Sequence, residues 1–354
     1  MSTADGFWAG RRVLVTGDTG FKGAWLTLLL RSLGAEVSGL ALAPDPGGAY
    51  DRLGLAAAGR SHEGDIRDRT FVDSVLAARR PEVVFHLAAQ ALVRRSFADP
   101  AETFDVNVTG TAVLLAAAGA AETVRTVVVV TSDKVYANDG SGHRFVETDP
   151  LGGGDPYSAS KAAAELVVAS WRHSFTGDGA PTVVAARAGN VIGGGDRAED
   201  RLVPDLFRAI EAGRPLVVRH PGSVRPWQFV LEPIAGYVAY AEEAWHHRAT
   251  TPAALNFGPG PESVWTVSAV VDELLGRAGR GSWEHRPDPH GGPEAVVLSL
   301  DSSAASRALG WRPVLDLGTA LAWTLAWWEA EQAGTDLGVL ASAQVDHYRE
   351  MMAP

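Results

Sequence analysis

RVLVTGDTGFKGAW, residues 12–25, is the stretch on which the fold turns. It opens as an apolar run, Val13–Thr16. It passes through Gly17-Asp18-Thr19-Gly20-Phe21-Lys22-Gly23 and continues from Ala24 in a helical pattern. Strand, glycine loop and helix, in that order, describe a dinucleotide-binding turn. Gly17 permits the tight bend, Gly20 lets backbone approach a pyrophosphate, and Gly23 lets the helix pack on the strand. The helix N-terminus then offers free N–H groups and the positive end of its dipole. A glycine triad alone is weak evidence. In this order it assigns Gly17, Thr19, Gly20, Phe21, Lys22 and Gly23 to a cofactor.

The same alternation runs outward from there. Arg12–Thr16, Glu36–Leu42, Val83–Leu87, Thr126–Thr131 and Thr182–Ala188 read as strands. Ala24–Leu33, Phe71–Arg79, Phe104–Ala121 and Tyr157–Arg172 read as helices. The pattern predicts an α/β fold, a Rossmann-type doubly wound parallel sheet. The valines of Val127–Val130 fit a strand buried on both faces. After about Gly189 the pattern turns irregular, with more Gly, Pro and Trp. Residues 1–189 are therefore expected to form the dinucleotide-binding domain with the catalytic residues. Residues 190–354 are expected to form a smaller mixed α/β substrate lobe, with some segments returning to the first domain. Residues 137–156 are a long Gly- and Asp-rich connection, which suggests a lid. Trp311, Trp323, Trp327 and Trp328 are expected in the core.

Composition narrows the function. The chain has 354 residues and a net charge of -11, which argues against a general nucleic-acid binder. It has no cysteine, so no disulfide, thiolate site or thiol nucleophile. The histidines are scattered, and no ligand spacing supports a metal. His246-His247 ends an apolar helical run, where a cation suits the helix dipole. No leader is seen, and no stretch is expected to reach the roughly 18 apolar residues of a membrane span. A soluble cytoplasmic protein follows as the expectation.

The cofactor reading has one gap. The second strand ends Leu40-Ala41-Leu42, without the acid that binds an adenosine ribose. No arginine replaces it. Asp18 would repel an extra phosphate if it faces that ribose, and Asp65-Ile66 could hold the adenine edge. NAD is favoured over NADP.

Tyr157 and Lys161 are four apart and share one helix face. A lysine cation there would lower the phenol pKa from roughly 10 toward neutrality, so that tyrosinate can act as a base. Thr131-Ser132-Asp133-Lys134 closes a buried strand, at the edge where parallel α/β sheets bind ligands. Ser132 is the hydroxyl expected to share a substrate proton with Tyr157. The bland alternative is a surface Tyr and Lys on an amphipathic helix. Asp133 and Lys134 add more than an oxidoreductase or 4-epimerase needs. A dehydratase requires an acid for the leaving hydroxyl at C6 and a base for the C5 proton. The adjacent pair can fill those roles if burial and the Lys161 cation keep the lysine neutral. An exposed Asp-Lys turn is the alternative.

These residues resemble the CDP-glucose 4,6-dehydratases, which are extended short-chain dehydrogenase/reductases. The likeness covers nearly the whole chain. It is carried by Thr16–Trp25, Phe85–Val93 (FHLAAQALV), Thr131–Tyr136 (TSDKVY) and Asp149–Lys161 (DPLGGGDPYSASK). It continues in Ala188–Asp196 (AGNVIGGGD), Arg201–Asp205, Arg225–Tyr237 (RPWQFVLEPIAGY) and Asn256–Pro259. The resemblance implies that Tyr157 and Lys161 drive oxidation at C4, that Asp133 is the acid and that Lys134 is the C5 base. It implies cofactor contacts at Ala88, Ala89, Tyr157 and Lys161, and substrate contacts at Asn190, Arg201, Arg225 and Gln228. Gly193-Gly194-Gly195 could admit the nucleotide or form a plain turn. A homodimer or homotetramer, paired through the helices at 104–121 and 157–172, is also implied. Four positions depart from the pattern. Asp18 and Phe229 stand where histidine is expected, Arg197 where an aromatic is, and Pro293-Glu294 where His-Glu is. The last three place the base and sugar in question. The competing readings are a dehydratase for another nucleotide sugar (including a C5-inverting one), a 4-epimerase, and a non-catalytic cofactor-binding sensor.

Overall fold

Seven parallel strands form the frame. A computed structural model of the chain describes residues 6–177, 179–287 and 298–352, so Pro293-Glu294 lies outside the described residues. Arg12–Thr16 is β1, and the glycine turn after it leads into helix α1, Phe21–Ser32. β2 (Glu36–Ala41) and β3 (Ser61–Glu63) lie to one side of β1. β4 (Val83–His86), β5 (Thr126–Val130) and β6 (Thr182–Ala188) lie to the other. The last strand, β7 (Ala254–Phe257), pairs with β6 from Ala254↔Ala185 to Phe257↔Ala188. The order is β7-β6-β5-β4-β1-β2-β3. It reverses between β4 and β1, and such a reversal opens a crevice at the carboxyl ends of the strands.

Strand alternation divides the core into two layers. Leu14, Val127, Val129 and Val183 pack beneath α2 (Arg69–Arg79), α3 (Pro100–Ala120) and α4 (Pro156–Ser174). Val13, Val15, Val128, Val130 and Val184 pack on the opposite face, against α1 and α5 (Leu231–His246). Each such valine stabilises the fold by roughly 1.5–3 kcal/mol. The doubly wound sheet thus follows from β-branched strands that are apolar on both sides.

Beyond residue 189 the chain adds helices and short ladders, and then β7. The helix α6 (Leu317–Gln332) returns to the main core. Trp327 and Trp328 on it are buried, as is Trp311, and Trp323 packs against them.

Two expectations are corrected. Residues 137–156 are not a lid. Arg144–Phe145 pairs with Ser299–Leu300, and Phe145 stacks on Tyr136 with ring centroids 4.8 Å apart. Asn256 Nδ2 donates to the Phe145 carbonyl at 3.0 Å. The connection is long because it must cross to the end of β7, where it is stitched down. Secondly, α3 is long and apolar enough by length and composition to cross a bilayer. Its run of Ala and Leu has another use, since Leu114, Leu115, Ala117 and Ala118 are buried against the sheet.

Candidate active site

Helix α4 starts where Asp155 accepts the Ser158 N–H at 2.9 Å, with Pro156 in the first turn. That start sets Tyr157 in the first turn and Lys161 one turn later, on the same face. Lys161 Nζ donates to the Val130 carbonyl at 3.1 Å, which ties α4 to the last residue of β5. A short turn, Asp133–Val135, follows the strand, and Ser132 Oγ accepts the Lys134 N–H at 3.2 Å. The Tyr157 hydroxyl lies beside Ser132, whose Oγ donates to Asp133 Oδ1 at 3.1 Å. Ser132, Asp133, Lys134 and Tyr157 line a cavity of about 390 Å³, and Lys161 stands buried behind them. None of residues 137–156 lines it.

Electrostatics here is governed by burial. The Tyr157 phenol is pushed up by burial, with the Ser132 hydrogen bond opposing. The expected lowering by Lys161 is therefore not what the structure shows, because the ammonium is turned to Val130 and desolvation prevails. Lys161 itself is pushed down to about 8 by burial, against the pull of Glu165. Burial raises Asp133, while Lys134, the Ser132 hydroxyl, Lys22 and Arg225 oppose it. Its Oδ2 is buried with no hydrogen-bond partner among the described residues, which suits a carboxyl that carries a proton to give. Lys22 reaches the same cavity from the glycine loop. Burial and Arg201 push it down to about 8.

The cofactor side lies at the ends of β1, β3 and β4. Gly17 has φ +74°, and a Cβ there would lie 2.8 Å from Ala88 N, so the loop sits against the segment of Ala88 and Ala89. A Cβ on Gly23 would overlap the Gly17 carbonyl. Gly20 caps α1 without a side-chain hydrogen bond, and the first turn, with Phe21 and Lys22, has no acid. Its N–H groups are thus available to an anion, and a dinucleotide pyrophosphate fits. Thr19 Oγ1 donates to the Leu42 carbonyl at 3.0 Å and shapes the lip. Asp65 is gripped by Arg67 at 2.6 Å, and Arg67 also binds Asp105 at 2.8 Å. Ile66 is buried. Asp18 does not point out toward a ribose. Its carboxyl is buried over Gly39 in β2 beside Ser61, and burial pushes it up to about 6.

Across the cavity stand Asn190, Arg201 and Arg225. Arg201 pairs with Asp196 at 3.1 Å. Gln228 is not brought there. It is buried and donates to the Phe257 carbonyl at 3.0 Å. Backbone alternation is the reason: Arg225 and Trp227 face the cavity, Pro226 and Gln228 do not. Phe229 is also off the cavity wall, edge-on to Trp25 and Trp323. Arg197 sits at the rim, where it donates to the Gly47 carbonyl at 2.8 Å and pairs with Glu331. The glycine run makes room for protein, since a Cβ on Gly194 would overlap the Trp327 indole. Sequence reasoning missed Arg94 and Arg219, which line the cavity and each lie 3.3 Å from Asp200. No local motif marks them. It also missed Glu165 and Arg187, which a signal could have revealed: a charge inside the apolar strand Thr182–Ala188 demands a buried partner.

A parallel sheet with a glycine turn after β1, and Tyr and Lys four apart on the helix behind β5, defines an extended short-chain dehydrogenase/reductase. The sequence profile of the NAD dependent epimerase/dehydratase family matches residues 13–251. The chain is 41% identical over 351 residues to the CDP-glucose 4,6-dehydratase of Salmonella typhimurium, covering 97% of each. It is 29% identical over 341 residues to the dTDP-glucose 4,6-dehydratase of Neisseria meningitidis serogroup B, covering 90% of this chain and 93% of that one. A double mutant of the dTDP-glucose 4,6-dehydratase DesIV from Streptomyces venezuelae, solved with NAD and DAU bound, matches with a TM-score of 0.78. Its identity is 26%, over 92% of this chain and 99% of that one. The chain belongs to the NAD dependent epimerase/dehydratase family, and its cofactor is NAD.

Proposed function

We propose that this chain is an NAD-dependent CDP-glucose 4,6-dehydratase, which converts its substrate to CDP-4-keto-6-deoxyglucose. The observation that carries the reading is Asp133 and Lys134 on one cavity wall with Ser132 and Tyr157. The 41% identity to the Salmonella enzyme supports the same substrate. Phe229 lies off the cavity wall, so its departure from the family pattern bears little on which sugar binds.

NAD held at the Gly17–Gly23 turn would supply a hydride acceptor for C4 and a hydride donor for C6. The residues of the chain handle the protons. Tyr157 takes the C4 hydroxyl proton as its tyrosinate, having first given up its own proton, with Ser132 sharing the transfer and Lys161 behind. Lys134 removes the C5 proton, which the new 4-ketone acidifies, and gives a solvent-exchanged proton back to C5 once C6 has received its hydride. Asp133, kept protonated by burial, gives its proton to the C6 hydroxyl, which leaves as water. Arg201 and Arg225 hold the diphosphate through their planar donor forks, with Asn190 beside them. Gly17, Thr19, Gly20, Phe21, Lys22 and Gly23 hold the cofactor phosphates, Asp65 and Ile66 the adenine edge, and Ala88 and Ala89 the facing wall. Residues 1–189 are the cofactor half and 190–354 mainly the substrate lobe. The same reading makes the protein a soluble cytoplasmic homodimer or homotetramer. Exposed Phe97, Phe104 and Leu166, on and beside α3 and α4, support that pairing.

The test is turnover of CDP-glucose in heavy water. The product should carry deuterium at C5, and deuterium placed at C4 should end at C6 without net NADH. A product that keeps its C6 oxygen and differs only in C4 configuration would mean a 4-epimerase instead.

A further inference from the structure

A buried ion pair outside the cavity lies just behind the wall that carries Ser132 and Tyr157. Glu165 follows Lys161 by four residues and Tyr157 by eight, so all three share one face of α4. Arg187 of β6 meets Glu165 in a fork, Nε to Oε1 at 2.8 Å and Nη2 to Oε2 at 2.5 Å. Both side chains are only 4% exposed, and neither lines the cavity. Each reaches one end of the segment that carries Ser132, Asp133 and Lys134. Thr131 Oγ1 donates to Glu165 Oε1 at 2.6 Å, just before the segment. Arg187 Nη1 donates to Tyr136 Oη at 2.7 Å, just after it. Tyr136 in turn donates to Asn256 Oδ1 at 2.7 Å. A buried ion pair is seldom worth keeping for stability alone, since apolar replacements of similar volume often serve as well.

We infer that the Glu165–Arg187 pair is a positioning device for the reaction: it clamps both ends of the Ser132–Lys134 segment to α4 and sets the field at Lys161. The inference rests on the dehydratase reading above. The groups that face Lys161 make the field argument definite. On its own helix they are Tyr157 and Glu165. From packed elements they are His86 of β4, which burial and Lys161 hold down to about 3, and Lys22 of the glycine loop. Among the described residues, Glu165 is the charge that favours the Lys161 cation against burial. Its charge therefore decides up to what pH that cation persists.

Glu165→Gln keeps the shape and the acceptor for Thr131 but deletes the charge. The expected result is a kcat lower by roughly ten- to a hundredfold. The KM for CDP-glucose and the NAD affinity by calorimetry should stay within about twofold, since neither site is touched. The alkaline limb of the kcat profile should move down by roughly one pH unit, because Lys161 loses its proton earlier. The double variant Glu165→Gln/Arg187→Met removes both charges. It should melt near the wild-type temperature yet keep the shifted limb. An unshifted limb in either folded variant overturns the inference; if the single variant does not fold, the double one decides. Failure of the functional reading looks different, because the wild-type protein would then leave CDP-glucose unchanged.

Discussion

The two walls of the cavity are built on opposite principles. The sheet wall, Ser132 to Lys134 with Tyr157, stands on a strand end and a helix turn. Its backing ion pair is only 4% exposed on both sides. The lobe wall presents long arginines, and the Asp200 that pairs with Arg219 is open to solvent. Arg219 and Asp200 are 28% and 41% exposed. Water and salt weaken such pairs, so they orient their arginines only loosely. Under the proposed function, chemistry that needs fixed geometry sits on the rigid wall, and recognition of a flexible diphosphate sits on the adaptable one. Damage to the first should appear in kcat, and damage to the second in KM.

The comparison can be broken most severely at Tyr157. Tyr157→Phe should lower kcat by roughly a thousandfold or more with NAD affinity intact. A loss confined to KM would erase the distinction between the walls. Next comes Lys134→Met, expected to cost roughly a hundredfold or more in kcat. In a single turnover with excess enzyme, C4 oxidation should still proceed, so NADH absorbance should build up and persist. Arg225→Met probes the other wall. It should raise KM about tenfold and leave kcat within about twofold, the size of one lost charged hydrogen bond. The smallest effect belongs to Asp18, beneath the cofactor loop. Its folded pKa, about 6, lies above the ordinary carboxyl value, so the wild type loses stability as pH rises from roughly 4 through 6. Asp18→Asn has no such loss. Its melting temperature should pull ahead of wild type across that window by about 2 °C, then keep a constant lead.

Much of this was legible because the signals are local. The strands Arg12–Thr16 and Thr182–Ala188 have the bounds that their apolar runs predict. The glycine turn, Tyr157 with Lys161, and Ser132-Asp133-Lys134 are each contiguous, so spacing alone places them. What failed depended on neighbours distant in sequence. The direction of Gln228 is set by its ladder with Val191–Ile192, which no periodicity reveals over two residues. The tyrosine shift was misjudged because burial, not the lysine, dominates, and burial is a property of the packed whole. Residues 137–156 looked free because their partner, Ser299–Leu300, lies far along the chain. Arg94, in the short helix Val93–Ala98, and Arg219 both pair with Asp200, although the three residues lie far apart in sequence.

The late arrival of β7 has a consequence for synthesis. When β6 leaves the ribosome, its outer edge has nothing to pair with until residues 254–257 follow. During that interval the nascent sheet offers a bare, valine-rich margin, the kind of edge that recruits other chains. A ribosome stalled between the two strands, or a truncation at 189, would freeze the protein in that sticky state. Dividing this enzyme at its apparent domain boundary should therefore yield aggregates, because the cut leaves β6 without its neighbour.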